Sequence, residues 1–408
     1  VGQFPTYLLE KQEHITYTMA KAKFFTREDN RYSLKESRGD NGYIKFGIDN
    51  LFPNNLIKLY NYSSIHGACI MAKTNATIGN GLISKEEDIL KKANPKESWN
   101  DIFRKVAYDM NLFGGFALQI IWSRDRTKIA EVYHIDFSYV RAEYKDNYGQ
   151  IPGYYLSNDW SHNSHYSKDT VDYLPAFNPT NAVDEPKQLY VYSPYRPGLE
   201  YYPLPDYMGG IHIIALDAEV DNFHMNNIKN GLAPSIAITT FTDSAPEEQE
   251  WIERALRNQY AGTNNAGSLL YMDVASPDLA PQITPIPGNG NDSYYEVMNN
   301  MIQQKILTAH RITSPMILGI KTEGQLGGRD EMLDAYLLFM NTVINPIQAD
   351  ILSSFEYLLE INYNDVTIGI ETTQLFDDGS IKTDVVVSDE SNEADAQDLE
   401  IITETQNA

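Results

Sequence analysis

Cysteine is nearly absent: Cys69 is the single one in 408 residues. That excludes a disulfide framework and any zinc site built on several thiolates, and it predicts folding inside a cell. Positive charge is scarce as well. Lys plus Arg number 32 against 56 Asp plus Glu, a formal net charge of −24. Tight binding of nucleic acid over a whole surface needs clustered cations, so that class is excluded; nucleic acid that slides past without sticking is not. No stretch approaches the roughly 18–20 consecutive apolar residues that span a bilayer. The opening VGQFPTYLLEKQEHITY has neither the basic start nor the apolar run of a signal peptide, so no membrane partner is expected.

Catalytic signatures are missing too. There is no G-x-S-x-G, H-E-x-x-H or Rossmann fingerprint. The segment GIKTEGQLGG (319–328) fails as a phosphate loop, because Lys321-Thr322 follows Ile320 and not the required glycine. His162 and His165 sit in a polar, loop-like stretch without further ligands. Cys69, near His66, lies on an alanine-bearing helix and reads as a small buried residue. The expectation is no catalytic residue, no metal, no cofactor and no enzyme activity.

What is present is a globular composition, 42% hydrophobic, with length for two or three domains. Residues 1–60 read as an arm with short elements. Helices are predicted over 63–78, with Ile65, Ala68, Ala72 and Ala76 on one face, and over 98–112, with Trp99, Ile102, Phe103, Val106 and Met110 on one face. Gly114-Gly115 ends the second. Buried strands follow at 116–122 and 129–135, then strands at 140–144 and 151–156 around the turn KDNYGQ. Residues 157–187 read as a polar surface insertion, and 189–193 as a short strand. Tyrosine is heavy, at 28. Tyr154, Tyr155, Trp160, Tyr190, Tyr192, Tyr195, Tyr201 and Tyr202 suit a core or a protein interface better than sugar or base stacking.

The second half changes character. Residues 209–230 form a long helix with two stripes: Ile214, Ala218 and Met225 on one, Ile213, Leu216, Val220 and Phe223 on the other. A helix apolar on more than one side needs several neighbours. Strands SIAITTF and SLLYMDV bracket a helix at 246–260 with an acidic start, Glu247-Glu248-Gln249-Glu250. A second long helix opens at Ser293 with a Ser/Glu296 capping box and runs to about 313 with Tyr295, Met298, Ile302, Ile306 and Ala309 on its stripe. After a Gly-rich loop, a third spans 331–361, with Leu333, Leu337, Met340, Ile344, Ile347, Ile351, Phe355 and Leu358 in register and a kink at Pro346. A strand lies at 366–370. Residues 377–408 hold ten acids and one Lys and read as a mobile tail.

This order of parts resembles the portal proteins of tailed bacteriophages. Three stretches carry the resemblance: FHMNNIKNGLAPSIAI (223–238), AGTNNAGSLLYMD (261–273) and KILTAHRITSPMILGIKTEGQLGGRDEML (305–333), with NPIQADI (345–351) downstream. Ser314-Pro315 departs slightly from the hydrophobic-Pro of many portals. The Tyr/Asn-rich texture is similar to portals of crAss-like phages. The resemblance implies an α+β, portal-type fold. It would comprise an N-terminal arm and α+β wing (1–207), a first stem helix (208–232), a clip (233–290) and a second stem helix (291–314). A tunnel loop (315–330), a long kinked helix (331–365) and a C-terminal strand with an acidic tail (366–408) would follow.

It further implies a ring of about twelve copies at one capsid vertex. That ring would pass double-stranded DNA, dock the terminase large subunit and then tail or connector proteins, and sit in the major capsid protein shell of the virion. Lys321, Thr322, Glu323, Gly324, Gln325, Gly327, Gly328 and Arg329 would line the channel; Glu247, Glu248 and Glu250 would meet the docking partners; Phe223 and Met225 would pack the ring. Arg329 has a second reading, as the mere start of the next helix with Asp330 at its positive end. Two other readings of the whole chain stay open: another ring component of a virus head, and a carbohydrate-active enzyme using carboxylates and aromatic stacking.

Overall fold

In a computed structural model of the chain, the described residues are 32–39, 42–161, 171–230, 234–240, 268–273, 292–320, 329–371 and 385–387. They begin with a short antiparallel pair, β1 (Glu36–Arg38) and β2 (Ile44–Phe46), followed by helix α1 (Phe52–Tyr62). The expected arm is thus part of the core from β2 onward. Phe46 stacks on Tyr202 at 3.9 Å and on Phe52 at 5.5 Å, contacts across the sequence that no local periodicity reports.

Helix α2 (Ser64–Ile78) starts where the pattern places it, with Ser63 as N-cap accepting from the His66 N–H at 3.2 Å. Its buried face differs from the alanine stripe. His66, Cys69, Ile70, Lys73, Thr74 and Thr77 are buried, while Ala68 is exposed. Part of this face is tied to other elements: Asn111 donates to Thr77 Oγ1 (3.2 Å) and Gln348 to the Thr77 backbone carbonyl (3.0 Å). Apolarity alone could not locate that face.

After β3 (Gly81–Ser84), helix α3 (Trp99–Phe113) buries the expected Trp99, Ile102, Phe103, Val106 and Met110. Ser98 and Asp101 form a reciprocal capping box. Gly114 ends the helix at φ 81°, and a Cβ there would sit 2.6 Å from the Leu204 carbonyl oxygen. The helix packs on an antiparallel sheet, β5–β4–β9, made of β4 (Phe116–Trp122), β5 (Ile129–Ile135) and β9 (Lys187–Tyr192). A second sheet joins β6 (Val140–Ala142), β7 (Gly153–Leu156) and β8 (Asp172–Pro175). The KDNYGQ turn closes as expected, with the Asp146 N–H donating to the Gln150 carbonyl. The stretch read as a surface insertion supplies β8 and the buried Trp160, so it is partly structural.

Two side-chain amides each pair with the backbone of one residue on a strand at the edge of its sheet. Asn362 accepts from the Ile129 N–H (2.8 Å) and donates to the Ile129 carbonyl (2.9 Å) on β5. Asn100 accepts from the Leu82 N–H (2.6 Å) and donates to the Leu82 carbonyl (3.4 Å) on β3.

A 3-10 turn, Asp206–Gly210, leads into α4 (Ile211–Asn230). Strands β10 (Pro234–Thr240) and β11 (Ser268–Asp273) pair in parallel. Helix α5 (Asp292–Ala309) returns, one residue ahead of the expected Ser293 start. The last long helix comes in three parts: α6 (Arg329–Phe339), a π-helical turn at Met340–Ile344, and α7 (Asn345–Glu360). Pro346 lacks an N–H, so the Thr342 carbonyl loses its helical donor; Arg311 donates to it instead at 2.5 Å. The distortion therefore lies ahead of the proline. A π turn inserts a residue and swings the face by about 100°. That is why Leu333 and Leu337 are exposed while Ile351, Phe355 and Leu358 are buried. Finally β12 (Ile368–Glu371) lies between β3 and β13 (Val385–Val387), so the expected acidic tail contributes a short strand.

Two apolar cores result. One gathers β2, α1, α2 and the proximal parts of α4 and α5 with the π turn. The other lies between α3, the β5–β4–β9 sheet, α7 and β12, where Phe355 meets Trp99 and Phe103 edge-on.

Candidate functional site: a two-helix stem and its buried joint

Helix α4 has 20 residues and spans about 30 Å. It runs antiparallel to α5, whose end meets its beginning: a Cβ on Gly210 would collide with that of Ala309. Ile214, Ile302 and Ile306 are buried in the same core. Burying each is worth roughly 1.5–3 kcal/mol, which fixes the proximal half of the pair to the body. Farther out the pair leaves that core. Met225 is 51% exposed and Val297 66% exposed in the single chain.

The stem rests on a buried polar joint. His66 Nδ1 and His310 Nε2 lie 2.8 Å apart, so one ring donates and the other accepts. Tyr207 stacks on His310 at 4.8 Å and meets His66 edge-on, and its hydroxyl donates to the Leu112 carbonyl at 2.7 Å. Beside them the buried Lys73 ammonium pairs with Asp206 at 2.6 Å. Burial, and then the Lys73 charge, push His66 down to about 3. Burial, then His66 and Lys73, hold His310 well below its ordinary value. Both imidazoles are therefore neutral near pH 7. Ser63 adds a link from the base of α2 to the stem, donating to Asp217 on α4 at 2.7 Å. The joint can hold geometry, but it activates no nucleophile. Burial pushes the Cys69 thiol up to about 12 and keeps it protonated. Asp109, buried against His134 at 2.8 Å, is raised to about 6; its other partner is the Phe137 N–H, a structural role.

The family model described as "Phage portal protein" matches residues 80–385, which include α4, α5, β10 and β11. The chain belongs to the phage portal family. Among curated relatives, a "Probable portal protein" of Haemophilus phage HP1 (strain HP1c1) is 27% identical over 157 residues. That alignment covers 38% of this chain and 44% of the relative's length. Among solved structures, a chain in the virion of a native gene transfer agent particle shares the fold at a TM-score of 0.52 and 15% identity. It is covered to 85%, against 80% of this chain. A chain in the neck of the native particle, computed with C12 symmetry, is similar at 0.52 and 14% identity, over 82% of this chain and 85% of that one. The resemblance stated from sequence holds at the level of family and fold.

The residues expected to carry the portal's function fall unevenly on the structure. Pro315–Leu318 form a 3-10 turn capped by Ser314, and Gly319 ends it at φ 75°. Lys321, Thr322, Glu323, Gly324, Gln325, Gly327 and Gly328 lie outside the described residues, as do Glu247, Glu248 and Glu250. Arg329 is the first residue of α6, with Asp330 and Glu331 in its first turn. Phe223 lies on α4, but its side chain lies outside the described set. Of the tyrosine-rich group, Tyr154, Tyr155, Trp160 and Tyr202 are core, and Tyr195 is exposed; the core members are not a stacking platform. The polar joint went unread in the sequence. Its signal was there: His66, Lys73 and Thr77 recur at helical spacing within an apolar helix.

Proposed function

We propose that this portal protein forms a closed ring, of about twelve copies, that serves as the conduit for double-stranded DNA at one vertex of a virion. The observation that carries the reading is the family match across both stem helices and the strands at the stem's outer end. The fold likeness to a chain in a twelvefold-symmetric neck supports it. The net charge of −24 suits a conduit, because cations lining it would retain phosphates and slow transit. The role is structural, not enzymatic. Among the described residues no helix is long and apolar enough to cross a membrane.

In this reading the clip, with Glu247, Glu248 and Glu250, meets the terminase large subunit during filling and tail or connector proteins afterwards, while the wing faces the major capsid protein. The loop 319–330 touches passing DNA weakly through Lys321 and, where its side chain turns inward, Arg329. Such contacts carry no sequence information, since phosphates position and base edges specify. Native mass and negative-stain images of the purified protein test the ring; a monomer at micromolar concentration refutes it. Charge reversal at Glu247, Glu248 and Glu250 should weaken motor and connector pull-down while rings persist. Replacing Lys321 with shortening of the glycine run should impair DNA packaging or retention but leave ring assembly intact. Normal DNA-filled heads from a loop-deleted portal would falsify the loop's role.

A further inference from the structure

Helix α2 carries a buried polar face on which hydrogen bonding is incomplete. Among the described residues, six side-chain atoms are fully buried without a protein partner. Five of them belong to that face or to side chains seated against it: His66 Nε2, Thr74 Oγ1, His310 Nδ1, Asn111 Oδ1 and Gln348 Oε1. His66, Thr74, His310 and Gln348 are 0% exposed and Asn111 is 2% exposed. Polar groups this deep in a fold are ordinarily paired with protein or with ordered water. Their gathering along one helix marks a site.

The bonds already made fix which atoms remain. The Asn111 amide nitrogen donates to the Ala107 carbonyl (2.8 Å) and to Thr77 Oγ1 (3.2 Å), whose own proton goes to the Lys73 carbonyl (2.8 Å). The Gln348 amide nitrogen faces two carbonyls, those of Ala76 (3.3 Å) and Thr77 (3.0 Å). Turning either amide over would set its oxygen against a carbonyl oxygen, so both amide oxygens stay acceptors in need of a donor. At the other end of the face, two neutral imidazoles share one hydrogen bond. Whichever ring donates, the two outer nitrogens are then one N–H and one bare lone pair. Beside them the Lys73 ammonium has three protons and meets Asp206 with one.

This set of donors and acceptors selects the class of ligand. It must donate to two amide oxygens and to one imidazole nitrogen, and it must accept from an imidazole N–H. An anion has nothing to give the amide oxygens. A cation cannot accept, and the buried Lys73 charge repels it. A neutral molecule that donates and accepts at once meets every demand, and water is the smallest of these. We propose that the buried face of α2 is an internal water site, with ordered water at the imidazole pair and again at Thr74, Asn111 and Gln348. The water ties α2 to α3, to α7 and to the end of α5 where direct bonds stop short. The inference is independent of the ring reading.

A cryo-EM map of the purified protein, at a resolution that shows ordered water, tests it directly. Discrete peaks are expected at about 2.7–3.2 Å from each of the five atoms. A map without them, or with the five atoms paired to one another, would overturn the site. A solution test turns on the sign of an effect. Thr74→Val keeps the branched shape and removes only the hydroxyl. Thr74 Oγ1 makes no bond to protein, so a dry site predicts a variant as stable as the wild type or more so. Water on that hydroxyl predicts a folding equilibrium constant lower by about fivefold, read from urea unfolding at one protein concentration. Thr74→Ser against Thr74→Ala repeats the comparison at smaller volume, and the serine variant should be the more stable, against the order of helix propensities. A valine variant at or above the wild type, or an alanine variant above the serine one, would sink the proposal.

Discussion

Acid should loosen the joint beneath the stem before it loosens the rest of the fold. His66 has a folded pKa of about 3 against an ordinary 6.5, from burial and then Lys73, and His310 is lowered for related reasons. A depressed histidine leaves the unfolded chain holding more protons below pH 6.5, so stability falls as pH falls through that point. Between pH 7 and pH 5 the unfolded His66 gains about 0.7 of a proton and the folded one gains almost none. The loss from that residue alone is about 2 kcal/mol, and His310 adds to it in the same direction. Asp109 works against this trend. Its folded pKa is raised to about 6, so it favours the folded state as pH falls through the same range. The comparison must therefore be a difference between proteins. The double variant His66→Phe/His310→Phe removes both titrations and leaves no lone polar partner behind, while Asp109 is untouched. Urea midpoints at pH 5, 6 and 7, at one protein concentration, give the two pH profiles. The wild type should lose at least about 2 kcal/mol more than the variant between pH 7 and 5. Parallel profiles would show that the imidazole pair does not hold off protons.

Other perturbations probe neighbouring contacts. Gly210→Leu forces a side chain into Ala309 and should cost about 1–3 kcal/mol by overpacking, read as a lower denaturant midpoint; an unchanged midpoint would mean that α4 and α5 separate freely at their base. Asp206→Ala leaves the Lys73 ammonium buried without its partner and should cost about 3–5 kcal/mol, whereas a loss under 1 kcal/mol would show water reaching that charge. Phe355→Ala empties the space between Trp99 and Phe103 and should cost about 3–5 kcal/mol, seen as a lower melting temperature with the ring mass unchanged. Phe223→Asp should block ring assembly, since each such contact is worth roughly 1.5–3 kcal/mol when buried and recurs in every copy; rings of normal mass would remove Phe223 from the interface.

The elements that sequence made legible are those with local causes. Helix α3 carries its own cap, stripe and glycine stop, and β4 is a short apolar run with β-branched isoleucines that follows a Gly-Gly break. What escaped has long-range causes. The Thr77 and Asn111 contacts join α2 to α3, so the buried side of α2 is decided by partners that an apolar pattern cannot see. Leu333 and Leu337 fit the helical stripe on paper, and a single inserted residue at Met340–Ile344 turns them outward. At the stem the sequence was informative in a different way. The double stripe of α4 was visible because too many apolar residues were present for one chain to cover, and Leu216 and Met225 are indeed left open by this chain. His66 and His310 are far apart in sequence, and nothing in either neighbourhood announces their meeting.

Asn362 and Asn100 have a bearing on crowding. Copies held side by side around an axis face one another at an effective concentration that any exposed strand edge would exploit, adding rung after rung of backbone pairing between neighbours. By spending one amide on Ile129 and another on Leu82, the fold takes outward-facing donors and acceptors of β5 and β3 out of that competition. In the proposed ring, repetition would then proceed through side-chain packing, which accepts one angle between neighbours, and not through strand addition, which accepts an endless series. Loss of the two asparagines should be felt less in the stability of one chain than in which assemblies many chains prefer.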